Sequence, residues 1–159
     1  MVRLFRGAAA GRALLAAGVL LVSAGCSAPA DEGFAIYLTK YDTPPSQMDM
    51  LSHVDIAEEP VISMDDITTY NAATHELTLT QEAFDRILEL EVPTSGRSFV
   101  VCVDGSPLYW GAFWVAYSSQ SFDGITIWKP LGVRDATIVT LGLGYPGSAF
   151  YQGEDPRTD

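Results

Sequence analysis

The stretch 96–114 constrains the fold of this chain more than any other. An unbroken apolar run, 99–103, ends in Asp104-Gly105, and a second apolar and aromatic run extends over 108–114. Asp-Gly accepts the positive φ angles of a tight turn, so the sequence predicts a β-hairpin here. Both faces of the first arm are apolar, which predicts a central strand that is covered on both sides.

The rest of the chain predicts short strands around that hairpin and one helix. Thr80 is a good N-cap, and Glu82 adds negative charge to the first turn of a helix predicted over 81–90. The other predicted strands cover 34–39, 67–70, 75–79, 124–129 and 136–143. We therefore expect an α+β fold: a single small domain whose mainly antiparallel sheet has one main helix packed on one face.

The first 25 residues have the composition of a secretory leader. Arg3, Arg6 and Arg12 precede an apolar stretch, 13–24, that is too short to span a bilayer as a helix. Small residues then precede Cys26, and this order resembles the lipobox of bacterial lipoproteins. The resemblance implies cleavage before Cys26, a diacylglycerol thioether on its sulfur and acylation of the new amino group. An ordinary secretory signal with an incidental cysteine is the alternative.

Removal of residues 1–25 leaves a strongly acidic chain. Three of the nine Lys and Arg residues lie in the leader, which leaves six against twenty Asp and Glu, a formal charge of −14. This charge argues against nucleic acid as a partner. It also argues against a polybasic contact with anionic lipids, so the acyl chains are the expected membrane attachment. We expect a lipidated tether at 26–33, the domain at 34–150 and a polar C-terminal tail at 151–159.

Four motifs follow one another after residue 59. They are Pro-Val-Ile at 60–62 with Asp66-Ile67, Leu-Thr-x-Glu-Ala at 79–83, the hairpin that begins at Gly96-Arg97, and Gly-Ile-Thr-Ile at 124–127. This order resembles the head of the first periplasmic domain of SecD, the accessory subunit of the protein-export channel. The strand-like run 136–143 stands where that family has a helix. The resemblance implies an α+β head in the cell envelope, outside the cytoplasm, that handles unfolded or extended polypeptide.

The sequence contains no pattern that predicts catalysis, a cofactor or a metal site. His75-Glu76 lacks the second histidine of a zinc-protease motif, because Leu79 stands at that position. There is also no Gly-x-Ser-x-Gly elbow of a serine hydrolase. Cys102 alternates within an apolar run, so we expect a buried thiol outside any disulfide. The prediction is a protein that is not an enzyme and has neither metal nor cofactor.

Aromatic side chains are concentrated after the Asp-Gly turn, and four of them are the candidate binding residues: Tyr109, Trp110, Phe113 and Trp114. Alternation along a strand places Trp110 and Trp114 on one face and the other two on the opposite face, so we expect half of them in the core. Aromatic residues on a sheet surface are common anchors of protein interfaces. The predicted function is a membrane-anchored, non-catalytic binding module for an extended polypeptide or an envelope protein. A small-ligand-binding protein or a hydrolase whose site is assembled by the fold is the alternative.

Overall fold

The computed structural model describes residues 33–132 and 136–158. These residues form seven strands and one α-helix, α1 (Gln81–Glu89). The strands are β1 (Phe34–Leu38), β2 (Ile67–Asn71), β3 (Glu76–Leu79), β4 (Arg97–Val103), β5 (Ser106–Trp114), β6 (Phe122–Trp128) and β7 (Ile138–Tyr145). They make one sheet in the order β1-β4-β5-β6-β7-β3-β2. The predicted α+β fold, with one sheet and one helix, is confirmed for the described part of the chain.

The predicted central hairpin is β4 and β5. Its turn uses positive φ angles at Asp104 (49°) and Gly105 (73°), as the Asp-Gly pair predicts. Strand β4 lies between β1 and β5, and both of its faces are buried. Val101 faces the main core, whereas Val100 and Cys102 belong to a separate cluster on the opposite face. The prediction of a central strand covered on both sides is therefore confirmed.

Helix α1 packs one face against the main core. The Thr80 hydroxyl accepts a hydrogen bond from the Ala83 N–H at 3.3 Å, which confirms the predicted N-cap. Ala83, Phe84 and Ile87 are buried in the main core, together with inward-facing residues of β1 and β3 to β7. Because one cluster joins strands from both halves of the sheet, the sheet is curved, and its concave face contains the core.

Five of the six strand pairings are antiparallel, and the pairing of β5 with β6 is parallel. The connection 115–121 therefore returns across the outer face of the sheet instead of turning back as a hairpin. The Tyr145 hydroxyl holds it by donating to the carbonyls of Val115 and Ser118, at 2.9 and 3.1 Å. The Ser118 hydroxyl donates to the Thr94 carbonyl at 2.6 Å.

The segment 40–57 covers the outer face of β1 and β4. Partly buried side chains of this segment, including Met48 and Leu51, pack against Tyr37, Val100 and Cys102. Cys102 is a free, buried cysteine, and burial raises the pKa of its thiol. The predicted burial of this thiol is confirmed.

Candidate binding site

The four aromatic candidates divide between the two faces of β5 as predicted. Phe113 is fully buried in the concave core, and its ring packs edge-on against Phe99 with 5.2 Å between the ring centroids. Tyr109 is half-buried and packs against the same core. Trp110 and Trp114 lie on the convex face. The structure therefore does not bring the four side chains together in one site.

Trp114 and Trp110 border a cleft of about 610 Å³ on the convex face. The Trp114 ring is stacked on Tyr145 with 4.9 Å between the ring centroids, and its buried Nε1 has no hydrogen-bond partner among the described residues. Trp110 is half-buried beside Phe122, at 5.6 Å between the ring centroids. Ser121, Asp123 and other polar residues form much of the cleft wall. The cleft is a polar depression with one accessible aromatic wall.

Tyr109 lines a different cavity, which lies on the concave face of the sheet. The cavity has a volume of about 240 Å³ and a mostly apolar wall. Its residues come from both halves of the sheet, since β1, β4 and β5 contribute to one side and β2, β3 and β7 to the other. The residues that line it are Phe34, Met64, Ile67, Tyr70, Leu77, Val101, Val103, Leu108, Tyr109, Leu141 and Arg157. It is an unfilled extension of the core at the open end of the curved sheet.

Arg157 supplies the one charged side chain of the cavity wall. Its guanidinium pairs with Asp155 at 2.6 Å and donates to the Leu141 carbonyl. The adjacent Tyr109 phenol is neutral at physiological pH, because burial raises its pKa to about 12. With the cation engaged by Asp155 and the phenol neutral, this wall is suited to apolar side chains and not to a charged group.

Acid should weaken the attachment of the C-terminal segment through Asp155. The hydrogen bond from Arg157 lowers the pKa of Asp155 from 3.8 to about 2. A carboxyl with a depressed folded-state pKa stabilises the fold above its unfolded-state pKa, and this stability is lost as the pH falls through the folded-state value. We expect the pair to contribute about 1–2 kcal/mol above about pH 5, after allowance for its partial exposure, and this contribution to fall progressively until little of it remains at about pH 2.

Urea unfolding between about pH 5 and pH 2 checks this expectation. Arg157→Gln removes the partner, so the variant should lose less stability than the wild type across that interval. Asp66 contributes a background slope in both proteins, because its pKa is also lowered, with Arg86 as its ion-pair partner at 2.6 Å. Identical slopes in the two proteins would contradict the assignment.

The two edge strands of the sheet, β1 and β2, differ in whether their outer sides are covered. The outer side of β1 is covered, because Ile36 bridges to Ile62, and Thr39 bridges to Ile56. Strand β2 is exposed along most of its length, and no strand pairs with its outer side within 33–132 and 136–158. The exposed β2 edge adjoins the apolar cavity, since Ile67 and Tyr70 belong to both.

Of the residues that line this cavity, the sequence predicts only Tyr109 as a binding residue. Leu108 and Val103 flank the predicted turn and are partly exposed there, which is a recognisable signal for an apolar surface. Met64 carries a weaker signal, as an apolar residue before two aspartates. No sequence signal indicates Arg157. The sequence predicts only a polar tail at 151–159, and the position of Arg157 depends on how that segment folds back onto the sheet.

Comparison with models of protein families, with curated proteins and with solved structures finds no match to this chain. The resemblance to the SecD head stays a prediction. Within the described residues no helix is both long and apolar enough to cross a membrane, and no three potential metal-ligating side chains lie together. The predicted leader, Cys26 and nearly all of the tether lie outside the described residues.

Proposed function

We propose that this chain is a lipid-anchored protein of the bacterial cell envelope and acts as a non-catalytic binding module for extended polypeptide. The bound segment adds a strand to the outer side of β2 and places apolar side chains in the adjacent cavity. The observation that carries the proposal is the position of an unpaired strand edge directly beside an apolar cavity. Such an edge supplies backbone hydrogen bonds, and neighbouring pockets select alternate side chains.

The backbone directions in β3 determine which groups of β2 are available. The Leu79 N–H donates to the Thr137 carbonyl at 2.8 Å, and the Leu141 N–H donates to the His75 carbonyl at 3.0 Å. Odd-numbered residues at this end of the sheet therefore direct their backbone groups towards β7. Because these directions alternate along a strand, Glu76 and Thr78 direct theirs towards β2.

Tyr70 is consequently a residue of β2 whose backbone N–H and C=O face outward. Thr69 pairs with Thr78 and Asn71 pairs with Glu76, so the backbone groups of these two β2 residues face β3. The N–H and C=O of Tyr70, which lies between them, face away from β3. An added strand can bond to both groups.

The charge of the chain favours a basic polypeptide. Three arginines of the described region are engaged with aspartates, in the pairs Arg86–Asp66, Arg97–Asp42 and Arg157–Asp155. Most of the remaining surface charge is therefore acidic. A cationic segment gains attraction at low ionic strength that salt screens.

The cavity by itself supports a second candidate, the binding of a small apolar ligand. Its wall is apolar, and its volume of about 240 Å³ is near the lower limit of ordinary ligand pockets, roughly 300 Å³. A small ligand that occupies only the cavity does not need the backbone of β2. The two candidates therefore respond differently to a proline at position 70.

A proline at Tyr70 tests the proposed strand addition. Tyr70→Pro removes the ring and the outward N–H, whereas Tyr70→Ala removes the ring alone. Proline is tolerated on an edge strand where the N–H faces solvent, so both variants should fold. We expect Tyr70→Pro to bind a labelled peptide of alternating lysine and valine about tenfold more weakly than Tyr70→Ala does, the equivalent of one hydrogen bond.

Fluorescence anisotropy at low and moderate salt measures this difference, and a scrambled peptide of the same composition is the control. Thermal unfolding of both variants verifies that they are folded. Equal affinities of the two variants would reject strand addition at β2. Equal binding of the scrambled peptide would indicate charge attraction without strand pairing.

A further inference from the structure

The chain enters the described fold at the open end of the cavity. The Gly33 N–H donates to the Asp104 carboxylate at 2.7 Å, and the Asp104 N–H donates to the Gly33 carbonyl at 2.9 Å. Gly33 also lies beside Met64, and the next residue, Phe34, is part of the cavity wall. These contacts fix the start of the fold at the tip of the central hairpin.

Four apolar side chains are exposed around the same opening and form what we call the rim. They are Met64, Tyr70, Val103 and Leu108, with exposed fractions of 57%, 47%, 39% and 43%. All four also line the cavity, so the rim and the cavity form one continuous apolar surface. Exposed apolar surface of this kind marks a site of contact with a protein or a membrane.

The length of the tether indicates that the surface opposite the rim is a membrane and not a protein. Gly33 lies seven residues after Cys26, and a fully extended chain over seven residue steps spans at most about 25 Å. An acyl group on Cys26 therefore holds Gly33, and the rim around it, close to the bilayer surface. The other end of β5, at Trp114, lies on the far side of the domain, because a nine-residue strand is about 30 Å long.

We propose that the rim contacts the bilayer and inserts Met64, Val103 and Leu108 into its interfacial region. This inference rests on the lipid anchor of the proposed function, and it adds a second contact to that anchor. Tyr70 suits this position, since an aromatic ring with a hydroxyl group is favoured at a membrane interface. The exposed edge of β2 begins at the rim, so a polypeptide that leaves the membrane surface meets it first.

The charges beside the rim determine the lipid class. Asp65 follows Met64 and Asp104 follows Val103, and both carboxylates come close to the headgroups when the rim inserts. Arg157 does not offset them at the surface, because it is paired with Asp155. The preferred surface is zwitterionic, and anionic headgroups should weaken the contact.

Single-cysteine labelling of the processed full-length protein tests the rim contact. Cys26 is acylated in the anchored protein and Cys102 is buried, so an introduced cysteine is the accessible thiol. Leu108→Cys places an environment-sensitive nitrobenzoxadiazole label on the rim. Tyr117→Cys is the matched control, because Tyr117 is 69% exposed and follows the opposite end of β5.

Both labelled proteins are reconstituted in phosphatidylcholine nanodiscs that contain doxyl-labelled lipid. We expect the label at 108 to emit at shorter wavelength and to be quenched several-fold more strongly than the label at 117. Partial replacement by phosphatidylglycerol should reduce that quenching. Equal quenching at the two positions in a protein whose Cys26 is lipidated by mass spectrometry would overturn the rim contact.

The experiments distinguish a failure of the anchor or of the polypeptide site from a failure of the rim contact. An unmodified Cys26 in the membrane fraction would remove the anchor, and with it the basis for the rim contact. Loss of peptide binding in Tyr70→Pro is measured without a bilayer, so its outcome does not depend on the position of the rim.

Discussion

Truncation of Phe113 to alanine should lower the free energy of unfolding by about 3–5 kcal/mol. The side chain is fully buried in the main core and packs edge-on against Phe99. Removal of a buried aromatic ring loses its burial energy and leaves a cavity that the surrounding strands cannot fill. Small domains are stable by about 5–15 kcal/mol, so this one change removes a large part of the total.

Urea unfolding followed by tryptophan fluorescence measures the loss, with Leu108→Ala as the control on the same strand. Leu108 is 43% exposed, so its truncation should cost well below 2 kcal/mol. The comparison also determines the role of Phe113 among the aromatic candidates. If Phe113→Ala keeps wild-type stability but loses its affinity for the peptide, Phe113 contacts the peptide and is not a core residue.

The sequence predicted the elements whose determinants are local. Asp104-Gly105 specifies the central turn, Thr80 specifies the start of α1, and alternation along β5 separates Tyr109 and Phe113 from the two tryptophans. Each of these features depends on residues that are close together in the chain. For this reason the fold class and the two faces of β5 agree with the structure.

The candidate site depends on pairings between distant residues, and the sequence did not specify these. The polar loop before Gly124 is compatible with a hairpin, yet β6 pairs in parallel with β5, and the connection crosses the convex face. Whether β1 or β2 has the free edge depends on the segment around Ile56 and Ile62, which covers β1. The cavity requires residues from both halves of the sheet to lie close together, and no local pattern encodes that arrangement.

Substitution of Gly111 by alanine should destabilise the fold by about 3 kcal/mol or more. A Cβ at this position would lie 2.5 Å from Phe99 Cζ and still nearer to the Ile125 carbonyl oxygen. Alternation along β5 places Gly111 on the inward face, between Tyr109 and Phe113, and the Phe99 ring occupies the space that a side chain would fill. The carbonyl cannot retreat freely, because Gly111 pairs with Ile125 in the parallel ladder between β5 and β6.

Gly147→Ala is the matched control, because no atom beyond its two chain neighbours lies within 4 Å of its added Cβ, and its φ of 175° is extended backbone. Urea unfolding of the two variants should therefore separate a large loss at 111 from a change within about 0.5 kcal/mol at 147. A second readout is the reactivity of Cys102, which is buried in the second cluster, on the opposite face of the neighbouring strand β4 from the main core. If the β5–β6 ladder yields and the domain opens, this thiol reacts faster in Gly111→Ala than in the wild type. The contrary result is unchanged stability and an unreactive thiol in Gly111→Ala. It would mean that the Phe99 ring can move away from position 111, and that the fold does not require the close contact between Phe99 and Gly111.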